Sequence, residues 1–329
     1  MKNKPSLLLT AIGKRVQLIK HLKQNFNVIG VDAEELNPAK DFVDKFYKIP
    51  KINESGYIDS LLDICDNEEI KLLIPLYERE FEILHNERKK IENIGVLLLL
   101  SNIEILEVCK DKQKTYDYFC NSKINIPKVY SETEIENIIT FGDIDKFPLI
   151  IKPRDGMGSN GVYKINNIKE LIFFKDYIEN GIIQQHIDGK EYTVDVLVDL
   201  DGKPIYVVPR KRIEVKAGEV VKSCTEKNQE IINATLKVIE NLNKLKDKNG
   251  LGLVGPLTIQ FFKKNDGDIY LLEVNPRFGG GVPLSFKAGA DYGQRILEMI
   301  EGKKFDYTKD FEEITMLRYD EAVFNLASN

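Results

Sequence analysis

The sequence predicts an N-terminal Rossmann-like α/β domain, with a doubly wound parallel sheet, followed by an α+β region built on antiparallel hairpins. Three observations predict it. Up to residue 110, short apolar runs alternate with amphipathic stretches, the pattern of parallel strands joined by crossover helices. Residues 148–162 read as strand, glycine-rich loop, strand. From Gln184 onward, β-rich runs are separated by turn residues and a few helical stretches.

The elements follow in order. Residues 7–12 form a first strand, 16–24 a helix, and 27–32 a second strand that ends in an acid. Residues 57–65 read as helix, 72–75 as strand, 80–91 as helix and 96–101 as a buried strand. After Lys110 the pattern changes: 111–120 is a helix, Ile126-Pro127 opens an extended link, and 147–152 is a strand that runs into glycines. With no internal repeat, the chain divides into an α/β domain at 1–110, a central lid at 111–185 and a C-terminal α+β subdomain at 186–329.

The composition, 43% hydrophobic and 30% charged, is that of a globular protein. A net charge of -5 argues against nucleic-acid binding, which calls for a basic face. The four cysteines, Cys65, Cys109, Cys120 and Cys224, form no CxxC pair, and there are three histidines. A zinc site is therefore not expected, and reduced thiols in a cytoplasm are. The apolar run 7–12 leads straight into Gly13, Lys14 and Arg15, as a first strand does and a signal peptide does not. The longest later run, 96–100, is too short to span a membrane.

Two stretches carry chemistry. In the first, Lys152 precedes a loop with glycines at 156, 158 and 161. Such glycines let backbone N–H groups approach a phosphate, and the lysine adds a fixed charge. The loop is not a Walker P-loop, and a plain hairpin with a solvated lysine is the competing reading. In the second, residues 255–263 and 268–275 flank Asn265-Asp266-Gly267-Asp268, which suggests a hairpin with a two-residue Asp266-Gly267 loop. That register sets Gln260 opposite Glu273 and Thr258 opposite Asn275, with Gln260, Glu273 and Asn275 on one face. Carboxylate and amide oxygens suit magnesium. A polar outer face is the alternative, and it is weakened because Leu271 and Val274 would face different ways.

With these motifs the chain resembles the ATP-grasp superfamily, and within it the single-unit proteins similar to the large subunit of carbamoyl phosphate synthase. The resemblance covers nearly the whole chain. It implies that residues 1–110 are a pre-ATP-grasp domain and that ATP and Mg²⁺ bind between the parts of an ATP-grasp fold. Lys112, after Asp111, and Lys152 would hold phosphates. Gly156, Gly158, Ser159 and Gly161 would belong to the loop that closes over the nucleotide. In the stretch from Ile182 to Thr193, Gln184, Gln185 and Ile187 would line the adenine and Glu191 would accept from the ribose. Gln260, Glu273 and Asn275 would hold the metal, and Arg277 would hold the transferring phosphoryl group or the acyl phosphate.

The match departs at Thr258, where the bicarbonate-using members usually carry asparagine. The 279–281 glycine run ahead of a helix near Ser285 is more similar to amino-acid ligases, and free N–H groups there would suit a carboxylate. The implied reaction is that of an ATP-dependent ligase: a carboxylate is phosphorylated to an acyl phosphate, and an amine then displaces phosphate. Lys152 and Arg277 would be catalytic. A carbamoyl-phosphate-type reaction on bicarbonate and a nucleotide-binding protein without catalysis are the alternatives.

Several residues stay open. A second hairpin, turning at Asp201-Gly202, sets Glu191 opposite Arg212, so a cross-strand ion pair competes with phosphate binding for Arg212. The turn Gly13-Lys14-Arg15 is not a dinucleotide fingerprint. Glu78, Arg79 and Glu80 follow the strand ending at Pro75, where open α/β sheets bind ligands; a solvated helix start is the competing reading. His186 beside the hinge reads as packing. A homodimer through the N- or C-terminal domain is compatible with the sequence, which names neither the acid nor the amine.

Overall fold

A computed structural model describes residues 4–156, 158 and 160–325. The first sheet has five parallel strands, β1 (Ser6–Thr10), β2 (Asn27–Asp32), β3 (Lys45–Lys48), β4 (Ile70–Pro75) and β5 (Leu97–Leu98), in the order β3-β2-β1-β4-β5. Helices α1 (Val16–Leu22), α2 (Tyr57–Asn67), α3 (Phe81–Asn86) and α4 (Arg88–Asn93) belong to this part. Because both faces are covered, consecutive leucines are buried: Leu7 and Leu9 pack with Ile19 and Phe278, while Leu8 packs with Leu61 and Leu73. The chain leaves β1 toward β2 on one side and later returns to β4 on the other. The ends of β1 and β4 therefore form a switch point, where such sheets open a crevice.

Two expectations here are corrected. The helix expected over 80–91 is a 3₁₀ turn at Glu78–Glu80, then α3 and α4, broken at Glu87 (φ -93°, ψ 4°). The strand expected over 96–101 is reduced to Leu97–Leu98. The two changes are linked. After the break, Arg88 donates to the carbonyls of Leu98 (2.9 Å) and Leu100, so the chain there is held by a side chain instead of a longer ladder.

Helices α5 (Ile103–Lys110) and α6 (Lys112–Phe119) lead out of this domain. Asp111 caps α6 by accepting from Gln113 N (2.8 Å) and Lys114 N (3.3 Å), which fixes Lys112 at the first helical position. The central part consists of α7 (Glu132–Phe141), β6 (Leu149–Pro153), β7 (Tyr163–Ile165), α8 (Ile168–Tyr177) and β8 (Gly181–Gln185), with an antiparallel sheet ordered β7-β6-β8.

The largest sheet contains β9 (Lys190–Val198), β10 (Pro204–Lys216), β11 (Glu219–Thr225), β12 (Gly255–Lys263), β13 (Ile269–Asn275) and β14 (Thr315–Leu317), in the order β13-β12-β9-β10-β11-β14. Helix α9 (Gln229–Leu242) packs on one face, with Ile231, Val238 and Leu242 against Val194, Val207 and Ile259. Helices α10 (Pro283–Lys287) and α11 (Tyr292–Ile300) follow β13, and their core residues join those of β1 and α1 in a single cluster. The C-terminal chain is thus welded to the N-terminal sheet.

The hairpin of β12 and β13 reaches the expected pairing by a different route. Lys264 N donates to Asp268 O (2.8 Å), so the loop is the three residues Asn265-Asp266-Gly267, with Gly267 at φ +97°, not a two-residue turn. Phe261 pairs with Leu271, yet Gln260 pairs with Glu273 and Thr258 with Asn275. A bulge at Leu272 adds back the residue that the longer loop displaced. It also overturns the expected divergence of Leu271 and Val274, which are both buried in the core that α9 covers, while Leu272 and Glu273 face the cleft.

Candidate active site

A cleft of about 2330 Å³ lies between the three sheets. A pocket for one small ligand measures roughly 300–1,000 Å³, so this one has room for more than one substrate. Lys112, Lys152, Gly156, Gly158, Gln184, Gln185, Ile187, Glu191, Arg212, Gln260, Glu273, Asn275 and Arg277 all line it. Gly161 packs on Pro153 at the base of the loop (φ +72°), and Ser159 lies outside the described residues.

At the hairpin end, Glu273 Oε1 accepts from Gln260 Nε2 and from Asn275 Nδ2 (2.9 Å). One carboxylate between two amides is a hard-oxygen donor set. Lys152, in β6, extends into this neighbourhood. Burial, with Lys112 adding repulsion, pushes its ammonium down to about 8, while Glu273 acts the other way. Among the described residues Lys152 has no hydrogen bond or ion pair, so its charge is left for a ligand.

The glycine loop is tied down at two points. Asp111 accepts from Arg154 Nη2 (2.6 Å) and Nε (3.1 Å), and Lys112 Nζ donates to Gly156 O (2.7 Å). A side chain at Gly218, in the β10–β11 turn, would collide with the backbone of Gly158, so the tip of the loop touches that turn. The loop therefore lies across the cleft, with Lys112 holding its backbone.

At the hinge, Gln184 is buried and donates to Pro127 O (3.1 Å), which fastens the incoming link to β8. Gln185 points the other way, and Ile187 is buried at the cleft wall. The β9–β10 loop is the three residues Leu200-Asp201-Gly202, and a shift between Pro204 and Tyr206 restores the expected register from Tyr206 to Lys211, so the ion pair forms: Arg212 Nη1 donates to Glu191 (2.6 Å) and to Gln260 Oε1 (3.1 Å). Arg212 thus joins the hinge to the hairpin. Burial raises the Glu191 carboxyl against the pull of Arg212, with Glu273 adding repulsion.

Two residues beyond Asn275, Arg277 Nε donates to Glu78 (2.7 Å) across the domain boundary. Glu78 is partly buried and Glu80 is 4% exposed, so the solvated helix start is overturned for these two, while Arg79 is exposed. The helix expected near Ser285 is the five-residue α10, which begins at Pro283. Ser285 and Arg210 both bond Asp195, at 2.5 Å from Ser285 Oγ and at 2.6 and 2.9 Å from Arg210. Thr258 Oγ1 donates to Arg277 O (3.1 Å), so the residue in the asparagine position anchors the Asn-Pro-Arg turn.

Sequence reasoning missed Arg15 and Arg318, which approach Gly280 from the N-terminal sheet and from beyond β14. For Arg15 a signal existed: it stands just past the end of β1, at the switch point. His186 is partly buried, and burial lowers its imidazole. No helix among the described residues is long and apolar enough to cross a membrane.

The ATP-grasp domain pattern matches residues 109–281, more than half of the chain, and the PylC-like N-terminal domain pattern matches residues 7–99. A carbamoyl phosphate synthase large chain of Thermoanaerobacter sp. (strain X514) is 25% identical over 84% of this chain and 26% of its own length. This chain therefore spans about a quarter of that relative. A D-alanine–D-alanine ligase of Fusobacterium nucleatum is 25% identical over 77% of this chain and 78% of its own. Among solved structures, the biotin carboxylase domain of Hydrogenobacter thermophilus 2-oxoglutarate carboxylase, a dimer complexed with MgADP, ADP and bicarbonate, superposes with a TM-score of 0.73 at 15% identity. That match covers 93% of this chain and 72% of the other. N5-carboxyaminoimidazole synthetase from Staphylococcus aureus gives a TM-score of 0.70 at 16% identity, over 93% and 79%.

Proposed function

The chain belongs to the ATP-grasp family, and from that premise we propose that it is an ATP- and magnesium-dependent ligase that joins an organic acid to an amine. The observation that carries the reading is one cleft holding a desolvated Lys152, unpaired among the described residues, near Glu273 with its two amides, and Arg277 two residues past Asn275. The donor set fits Mg²⁺, which takes oxygen ligands in the company of phosphates. Gln260, Glu273 and Asn275 would hold it, and when bound it would neutralise phosphate charge.

The rest of the work falls to the chain. Lys152, and Lys112 once released from Gly156, hold the phosphates of ATP. Gln184, Gln185 and Ile187 line the adenine, and Glu191 faces the ribose while Arg212 fixes its position. Arg277, oriented by Glu78, holds the acid. A carboxylate oxygen attacks the terminal phosphorus, the bond to the bridging oxygen breaks, and ADP leaves. The amine then attacks the acyl carbon and loses a proton, and phosphate departs. The loop from Arg154 to Val162 keeps water from the acyl phosphate. In this reading residues 1–110 shape the acid site, 111–185 form the lid and 186–329 carry the metal site, and a homodimer is the expected assembly.

Hydroxylamine competes with the amine for an activated carbonyl and traps it as a hydroxamate. With MgATP and a panel of amino and carboxylic acids, at least one acid should give a hydroxamate together with ADP. Strong stimulation of ADP release by bicarbonate, with no organic acid active, would replace this reading with the carbamoyl-phosphate-like one. No stimulation by either would leave a nucleotide-binding protein without catalysis.

A further inference from the structure

The part of the cleft around the 279–281 turn holds more positive charge than the reaction above uses. Arg15 follows β1, Arg210 lies in β10, Arg277 follows β13 and Arg318 follows β14. They meet around the turn at 279–281. A methyl group at Gly280 would lie 3.9 Å from Arg15 Nη1, and one at Gly281 would collide with the Arg210 guanidinium. Arg318 Nη2 donates to Gly280 O, and Arg277 Nη1 donates to Phe278 O (3.1 Å).

The available carboxylates are already engaged. Glu78 holds Arg277 (2.7 Å), Asp195 holds Arg210 (2.6 Å), and Glu219 is shared by Lys14 (2.7 Å) and Arg318 (3.3 Å). Four arginines and Lys14 thus share three acids. Among the described residues Arg15 has no side-chain hydrogen bond or ion pair, and Arg210 Nη1 is buried without a partner although the residue is 1% exposed. Burial, and then the charge of Arg277, push the Arg15 guanidinium down to about 10.

Within the cleft, Arg15 and Arg318 form a different cation group from Lys112 and Lys152. The charges that act on Lys152 are Glu273 and Lys112, whereas those that act on Arg15 are Arg277, Glu219, Arg318 and Glu78. Removing cations from water without counter-charges is unfavourable, so a cluster like this is completed by an anion. Guanidinium groups, with their planar fork of donors, select carboxylate and phosphate.

We propose, on the basis of the ligase reading, that the activated acid is at least dianionic: besides the carboxylate facing Arg277 it carries a second anionic group, carboxylate or phosphate, held by Arg15 and Arg318. The glycines at 280 and 281 keep the turn bare of side chains, so that group can lie against them. A bicarbonate-sized substrate would leave Arg15 and Arg318 unused.

Calorimetric titration of the full chain tests this, with succinate, glutamate and phosphoserine as probes and acetate and alanine as controls. At least one dianion should bind ten times or more tighter than the controls, and whether succinate and glutamate or phosphoserine does so identifies the second group. Arg15→Gln and Arg318→Gln should each weaken that binding at least tenfold and leave MgADP binding within twofold. If Arg15→Gln fails to fold, Arg318→Gln decides. Dianions that bind no better than acetate, or variants that bind them as the wild type does, overturn the inference. Hydroxamate formed from single carboxylates as readily as from dianions also overturns it and leaves the ligase reading standing. Dianion binding that Arg15 controls, without ADP release or hydroxamate, keeps the anion site and removes the ligase.

Discussion

At the hairpin end of the cleft, polar side chains are bonded to one another: Gln260 and Asn275 to Glu273, and Arg212 to both Glu191 and Gln260. Around the 279–281 turn, Arg15 is unpaired among the described residues and Arg318 shares its acid with Lys14. The first end is held in shape by the protein itself, as an electrostatically preorganised site requires. The second keeps uncompensated charge and is completed by what binds. Geometry should therefore matter most at the hairpin and net charge most at the arginines.

The largest expected effect tests the preorganised end. Glu273→Gln keeps size and hydrogen-bonding capacity but removes the one carboxylate of the donor set. ADP release should fall by roughly 10²–10³-fold, the scale of losing one well-placed electrostatic group. Thermal unfolding should stay close to that of the wild type, because Glu273 faces the cleft. Wild-type turnover in this variant would mean that the hairpin set is a surface feature.

A second effect arises behind the arginine end, where Glu80 sits at the start of α3. Burial pushes its carboxyl up to about 7, against a hydrogen bond from Thr10. The folded pKa lies above the unfolded one of 4.5. Between those values the folded protein holds a proton that the unfolded chain has released, so stability falls as pH rises through that window and levels off above it. Glu80→Gln removes the ionisation. Urea unfolding should show the variant gaining on the order of 2–3 kcal/mol over the wild type at pH 8, with little gain at pH 4.5. An equal gain at both values would show that the charge of Glu80 is not what costs stability.

The two ends also differ in how far the sequence revealed them. The hairpin was legible because strand alternation and a nearby turn act over short spans. Even so, the Gln260–Glu273 pairing was reached only because the loop and the bulge at Leu272 shift the register in opposite directions. Arg212 was legible for the same local reason, through the β9–β10 register. The arginine end depends on contacts such as Arg277–Glu78, 199 residues apart, which exist only after β13 has packed against the N-terminal sheet. Strand pattern carries no information about that docking. What it could have offered is the switch-point rule, since Arg15 and Glu78 follow β1 and β4, which are neighbours in the sheet. The Glu80–Ile91 region misled because helical periodicity continues through Glu87 while the helix does not.

The smallest expected effect separates the two ends directly. Lys152 is desolvated and unpaired, and in that respect it resembles the arginines although it lies beside the hairpin. If it serves the phosphates of ATP, Lys152→Ala removes one charge-assisted contact of about 1.5–3 kcal/mol, and MgATP affinity should weaken by about tenfold or more. Binding of a dianionic acid should stay within about twofold, since the charges acting on Arg15 do not include Lys152. Arg15→Gln should give the opposite pattern. Both variants can be measured by calorimetry with MgADP and succinate as separate titrants. Unchanged nucleotide affinity in a folded Lys152→Ala protein would remove that lysine from the phosphate site. Loss of nucleotide and dianion binding together would show a single merged charge field, and the division of the cleft into two ends would then fail.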